Sequence, residues 1–173
     1  MRTWMGAGMA LLISAPALAQ MEPPAPADCT TPVPPPAEMA GWTGRTPLVA
    51  ASDAGQLSMA TLAIGRGVDA ALSPTADMRY VVRPEKPGGS VSHGGLFGFT
   101  IAAAGTYRIA IGSGAWIDVL REGKAVESTA HGHGPACSGI RKMVDFTLRP
   151  GRYVLQIAAN GSPTLPLLLT RLP

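Results

Sequence analysis

Two stretches of the chain decide its fold: FTIAAAGTYRIAI at residues 99–111 and FTLRPGRYVLQI at residues 146–157. Each has a Phe, a short Gly-containing turn, a Tyr and then apolar residues at every second position. Period-two alternation is typical of half-buried β-strands. Each stretch therefore predicts a strand, a tight turn and a return strand, with the Tyr ring buried and its hydroxyl bonded to backbone at the corner. Their likeness has two readings, hairpins of a kind common in sandwiches or an internal duplication.

The same pattern of short apolar segments continues on both sides of these stretches. Short apolar runs are separated by turn dipeptides, and no helical stripe lasts three turns. Further strands are predicted at Leu57–Met59, Thr61–Ile64, Tyr80–Val82, Leu96–Ile101, Trp116–Leu120 and Leu165–Leu169. This pattern predicts an all-β fold, a single antiparallel β-sandwich or jelly roll of about eight or nine short strands.

The amino terminus predicts export. Arg2 precedes the apolar run Met5–Ile13, which is too short to span a bilayer, and Ala17–Ala19 forms an A-x-A cleavage site. We therefore expect a signal peptide over residues 1–19, a periplasmic or secreted product and no membrane span after cleavage. Residues 20–47 contain eight prolines and predict an extended leader, which leaves residues 48–173 for the sandwich domain.

Charge and cysteine content narrow the function classes. The formal net charge is +3, and the basic residues are scattered, so the sequence predicts no nucleic-acid partner. Two cysteines, Cys29 and Cys137, are present. In an oxidising compartment an even number favours a disulfide between them. The alternative is that Cys137 is a thiolate metal ligand.

The segment AHGHGPACSGIRK, residues 130–142, has the highest density of residue types that bind metals or take part in catalysis. His131 and His133 would point to the same side of an extended backbone and could share one ion. Cys137 and His93 are candidate further ligands, and together the four predict a zinc, copper or iron site. The alternative is a glycine-rich surface loop with solvated histidines, fixed by the disulfide.

No other part of the chain predicts catalysis. There is no nucleophile elbow, no C-x-x-C motif and no phosphate-binding glycine loop before a helix, so we assign no catalytic residue. Trp116 is either a platform for ligand binding or a core residue. Asp118, inside an apolar strand, needs a partner if it is buried, and Arg141 or Lys142 is the candidate.

Two resemblances add to these expectations. The paired motifs resemble secreted β-sandwich modules of the pre-peptidase C-terminal type. From about residue 76 onward the chain more closely resembles a group of short periplasmic proteins, through RPEKPGGS at 83–90, GSGAWIDV at 112–119 and HGHGPACSGIRK at 131–142. Some of that group are labelled homogentisate 1,2-dioxygenase, which implies an iron oxygenase. A cupin-type iron site needs a Glu shortly after His-x-His, where this chain has Cys137 and Ser138.

The sequence therefore supports three functions. The first is an exported, non-catalytic module that binds a ligand, a protein partner or the cell envelope. The second is a metal-binding protein that uses the His131–His133 loop. The third is an oxygenase of the homogentisate 1,2-dioxygenase kind.

Overall fold

The computed structural model describes residues 29–173 of the chain, so the predicted signal peptide and the start of the leader lie outside the described residues. Three short 3-10 helices span Ala37–Trp42, Ala54–Met59 and Thr75–Asp77. Eleven strands complete the described part: β1 Thr46–Val49, β2 Gly67–Ala71, β3 Ser73–Pro74, β4 His93–Ile101, β5 Gly105–Ile111, β6 Trp116–Arg121, β7 Lys124–Ala125, β8 Ala130–Gly132, β9 Lys142–Leu148, β10 Gly151–Asn160 and β11 Thr164–Arg171.

The strands form two sheets packed face to face. The first sheet has the order β1-β2-β11-β5-β9-β8, and the second has the order β3-β4-β10-β6-β7. Neighbouring strands are antiparallel except β1 and β2, which are parallel. The predicted sandwich is confirmed. Five of these strands, β1, β2, β3, β7 and β8, lie outside the predicted runs, and β3, β7 and β8 have only two or three residues, too few to show alternation.

One hydrophobic core fills the space between the sheets. In the second sheet, Phe97, Phe99, Leu155 and Ile157 point inward, and none is more than 2% exposed. The first sheet contributes the alternating residues of β5, β9 and β11 to the same core. Leu96, on the opposite face of β4, is also fully buried. Part of the outer face of the second sheet is therefore covered as well.

The two diagnostic stretches are not hairpins. Strands β4 and β5 lie in different sheets, as do β9 and β10, so each tight turn carries the chain across the sandwich. The tyrosine prediction is confirmed at both corners. The Tyr107 hydroxyl donates to the carbonyl of Ala103 at 2.7 Å, and the Tyr153 hydroxyl donates to the carbonyl of Arg149 at 2.9 Å. Both rings are buried.

Three predicted strands are wrong or reduced. Leu57–Met59 belongs to the 3-10 helix Ala54–Met59, whose start is capped by Asp53 Oδ1 accepting from the Gly55 amide at 2.8 Å. Of Thr61–Ile64, only Thr61 forms a bridge, to Gly98 of β4. Tyr80–Val82 is irregular, because a glutamine side chain rather than a strand bonds its backbone.

The leader packs against the first sheet from Cys29 onward. The Val33 amide donates to the Cys137 carbonyl at 3.0 Å. Helix Ala37–Trp42 buries Met39 and Trp42 on the outer face of the first sheet, against Leu168 and its neighbours. The Trp42 indole donates to the Ser138 carbonyl at 3.0 Å. Among residues 29–173, no helix combines the length and apolar character needed to cross a membrane.

Candidate functional site

The histidine and cysteine loop is held by a disulfide. Cys29 and Cys137 are bonded across 108 residues of sequence, as predicted. The alternative prediction, in which Cys137 is a thiolate ligand, is wrong, because a disulfide sulfur carries no thiolate charge. The bond joins the leader to the loop between β8 and β9.

The three histidines do not gather around a shared point. His131 lies exposed on the edge strand β8, and His133 follows it in the loop. His133 Nδ1 donates to the Arg141 carbonyl at 2.8 Å, since a carbonyl only accepts. His93 begins β4 in the opposite sheet. Within residues 29–173, no three His, Cys, Asp or Glu side chains have a geometry that could hold a metal ion. The predicted ligand set is therefore not brought together.

The structure instead gathers polar side chains on the outer face of the second sheet. Strand register places Asp118 of β6, Gln156 of β10 and Leu96 of β4 side by side, and Trp116 lies one step along β6 on the same face. Inward positions alternate with these. Trp116 is half-buried and lies outside the core, so its interpretation as a core residue is wrong.

Asp118 is the charged centre of this row. Its two carboxylate oxygens accept from the Trp116 indole N–H at 2.9 Å and from Gln156 Nε2 at 3.3 Å. Burial raises the pKa of the Asp118 carboxyl above its ordinary value, and these two hydrogen bonds act in the opposite direction. The predicted partners were Arg141 or Lys142. Of these, Lys142 contributes its nearby charge, and the direct partners are Trp116 and Gln156.

Two ammonium groups flank the same indole. Lys86 Nζ lies 5.3 Å and Lys142 Nζ 5.7 Å from the centre of the Trp116 ring, within cation–π range. Lys142 Nζ also donates to the Ala115 carbonyl at 3.0 Å. Burial lowers the pKa of Lys142, and the positive charge of Lys86 lowers it further. The Trp116 indole is thus contacted by Lys142, which begins β9 of the first sheet, and by Lys86 of the loop before β4.

Gln156 ties that loop to the sheet. Its side chain is fully buried, and Oε1 accepts from the amides of Val81 at 3.0 Å and Val82 at 3.4 Å. Nε2 donates to the Val82 carbonyl at 3.0 Å. We call residues 81–86 the strap. The strap crosses the outer face with Val81 fixed by Gln156 at one end and Lys86 over Trp116 at the other.

An open groove lies next to the strap on the same face. It encloses about 420 Å³. Its floor is the next register row of the sheet, Gly98, Val154 and Leu120. Leu57, Ser58 and Thr61 form one side, and Val81 of the strap also lines the groove. One row further from the strap, Arg152 of β10 pairs with Thr100 of β4. These two residues line that end of the groove together with the turn Glu122-Gly123.

Sequence reasoning missed the residues that build this groove. Gln156 and Arg152 alternate with core residues and look like ordinary solvent-facing positions. A signal was present, because the outward positions of the second sheet also include Leu120 and Val154, which are direct partners across β6 and β10. A polar-free outward row indicates a covered face or a binding surface.

Comparison with known proteins adds no relative. No protein-family model matches the chain, and no curated protein matches it. The resemblances drawn from the sequence motifs therefore stay predictions.

Proposed function

We propose that this chain is an exported β-sandwich module that binds a small molecule, without chemical turnover, in the groove on the outer face of its second sheet. The groove itself is the observation that carries the proposal. Its volume of about 420 Å³ falls within the range of small-molecule sites. Three hydrogen-bonded strands form its floor, so the floor is held in place by the sheet itself.

The groove lining favours an apolar ligand body. Leu57, Val81, Leu120 and Val154 present aliphatic side chains, and Gly98 leaves the floor open between them. Displacing water from such a surface is favourable by about 25 cal/mol per Å² of apolar area buried. The shifted carboxyl and amine, Asp118 and Lys142, are outside the groove lining and bond to neighbouring protein groups. This arrangement favours binding over acid–base catalysis.

The disulfide supports an extracytoplasmic location. Disulfides such as Cys29–Cys137 persist in oxidising compartments, and this agrees with the predicted signal peptide. Periplasmic or secreted localisation is therefore part of the proposal.

Gly98 offers a direct test. A Cβ at position 98 would meet only the Leu57 carbonyl at 3.4 Å and Leu57 Cβ at 3.9 Å, which is ordinary contact. The Cβ of Gly98→Val thus fits at ordinary contact distances, and its two methyl groups take up space on the groove floor. Gly132→Val is the matched control, because position 132 is also in a strand and has no atom within 4 Å of an added Cβ.

The measurement is fluorescence titration of the mature chain with the uncharged apolar dye N-phenyl-1-naphthylamine. We expect saturable binding to the wild type and to Gly132→Val, and about tenfold or greater weakening in Gly98→Val. The dye should be recovered unchanged. Equal binding by Gly98→Val, absence of saturable binding to the wild type, or conversion of the dye would contradict the proposal.

A further inference from the structure

The groove has a single positively charged lining residue. Arg152 lies exposed on the outward side of β10, and the other lining residues of the groove include no Lys, Arg or His. Glu122, the acidic lining residue, lies 3.7 Å from the guanidinium of Arg121. Within residues 29–173 Arg152 forms no ion pair and no side-chain hydrogen bond. Its guanidinium therefore has no direct carboxylate partner in the described part of the chain, and Glu122 is the one acidic residue that lines the groove with it.

A guanidinium is suited to one class of ligand group. It stays charged at all accessible pH values and presents planar N–H donors that match a carboxylate, phosphate or sulfate. Thr100 is the direct cross-strand neighbour of Arg152 and lines the same end of the groove. Its hydroxyl can donate one more hydrogen bond to an anionic oxygen.

The order of rows on the sheet fixes the orientation of such a ligand. Arg152 and Thr100 form one row, and the apolar row of Gly98, Val154 and Leu120 follows toward the strap. We propose that the groove binds a monomeric anionic amphiphile, with its head group on Arg152 and its apolar tail over Gly98 toward Val81. This inference rests on the proposed function and names the ligand class of the same site.

The size of the groove selects a monomer over a membrane surface. A volume of about 420 Å³ accommodates one short tail and one head group. The anionic group of such a ligand replaces solvent around Arg152, and the tail covers the floor.

The test compares matched ligands and matched variants. Decanoate and 1-decanol, both below their aggregation concentrations, compete with N-phenyl-1-naphthylamine on the mature chain. Arg152→Gln removes the charge, and Arg152→Lys keeps it. Arg149→Gln is the control, because it also removes one exposed positive charge but lies outside the groove lining. A parallel arm measures sedimentation with phosphatidylglycerol vesicles.

We expect decanoate to displace the dye at a concentration at least about tenfold below the concentration of decanol that is needed. This difference is typical of one hydrogen bond to a charged group. Arg152→Gln should abolish that preference, Arg152→Lys should retain part of it, and Arg149→Gln should retain all of it. Equal competition by decanoate and decanol overturns this inference while the proposed function stands. Loss of the preference in Arg149→Gln as well, or vesicle binding without decanoate competition, also overturns it. A wild type that binds neither dye nor amphiphile overturns the proposed function.

Discussion

The rings of Phe99 and Tyr153 are stacked, with their centroids 5.4 Å apart and their planes at 15°. The two residues are direct partners across β4 and β10. Each comes from a different one of the two similar sequence stretches, and Phe146 and Tyr107 form the reciprocal pair across β9 and β5. The two stretches therefore interlock, and each supplies one strand to each sheet. The tight turns β4–β5 and β9–β10 each link one sheet to the other.

Removing the corner hydroxyls should destabilise the fold to different degrees. The Tyr107 hydroxyl makes one hydrogen bond, to Ala103. The Tyr153 hydroxyl both donates to the Arg149 carbonyl and accepts from the Arg149 amide at 3.1 Å. We expect Tyr107→Phe to lower the free energy of unfolding by about 1 kcal/mol and Tyr153→Phe by about 2 kcal/mol. Urea denaturation measures both. A loss in Tyr107→Phe that equals or exceeds the loss in Tyr153→Phe would count against this account of the corners.

The disulfide should supply a large part of the stability. It closes a loop of 108 residues, for which the chain-entropy relation gives at most about 4–5 kcal/mol. We expect the double variant Cys29→Ala/Cys137→Ala to lose a substantial part of that amount in urea denaturation. Adding a reductant should lower the stability of the wild type by the same amount and leave the stability of the variant unchanged. Unchanged stability in the variant would contradict the prediction.

Backbone conformation gives that experiment an internal comparison. Cys137 has a φ of +62°, in the left-handed region that favours glycine. Cys29→Ala/Cys137→Gly should therefore be more stable than Cys29→Ala/Cys137→Ala by about 1 kcal/mol. The reverse order would show that the loop relaxes out of this conformation once the bond is absent.

The strands of the core could be predicted from the sequence because alternation is a local property. The predicted runs at Leu96–Ile101, Trp116–Leu120 and Leu165–Leu169 all fall within observed strands. The pairing of those strands could not be predicted. The same Phe–turn–Tyr pattern is compatible with a hairpin or with a crossing between sheets, and the choice depends on whether β4 pairs with β5 or with β10, more than forty residues away.

The candidate site escaped prediction for a similar reason. Two valines and a tyrosine at residues 80–82 have high strand propensity, yet Gln156 bonds the backbone of Val81 and Val82 from a distant strand. The histidines were conspicuous in the sequence, but a metal site depends on the distance to a third donor, which spacing does not reveal. Arg152 could be identified as a candidate only from the structure, in which the strap and the helix Ala54–Met59 enclose the apolar row of the sheet beside it.

Stability should depend on pH through Asp118. Because burial raises its pKa, the folded state binds the proton more tightly than the unfolded chain does. The resulting stabilisation is fully present below the unfolded pKa of about 4 and is lost as the pH rises through the folded-state pKa. Relative to wild type, Asp118→Asn should therefore gain stability with rising pH over that window and then reach a plateau.

A second substitution separates titration from hydrogen bonding. Asn has one acceptor oxygen for the two donors that face position 118, and Ala has none, so the two variants should differ by a constant offset. Their pH dependence relative to wild type should be the same, since both lack the carboxyl. Urea denaturation across the pH range measures both properties. Different slopes for Asn and Ala would assign the pH dependence to another group.

Gln156 should control the strap and, through it, the groove. Gln156→Met keeps a similar volume in the buried site but removes every polar contact to Val81 and Val82. Those backbone groups then lose their partners, and Asp118 loses one donor. We expect amide exchange at Val81 and Val82 to accelerate by about tenfold or more, beyond any acceleration at the core amides of β10. Since Val81 lines the groove, dye affinity should fall as well. If exchange at Val81 instead rises only in step with the core amides, the strap is held by Lys86 over Trp116 and its neighbours, and Gln156 contributes to global stability alone.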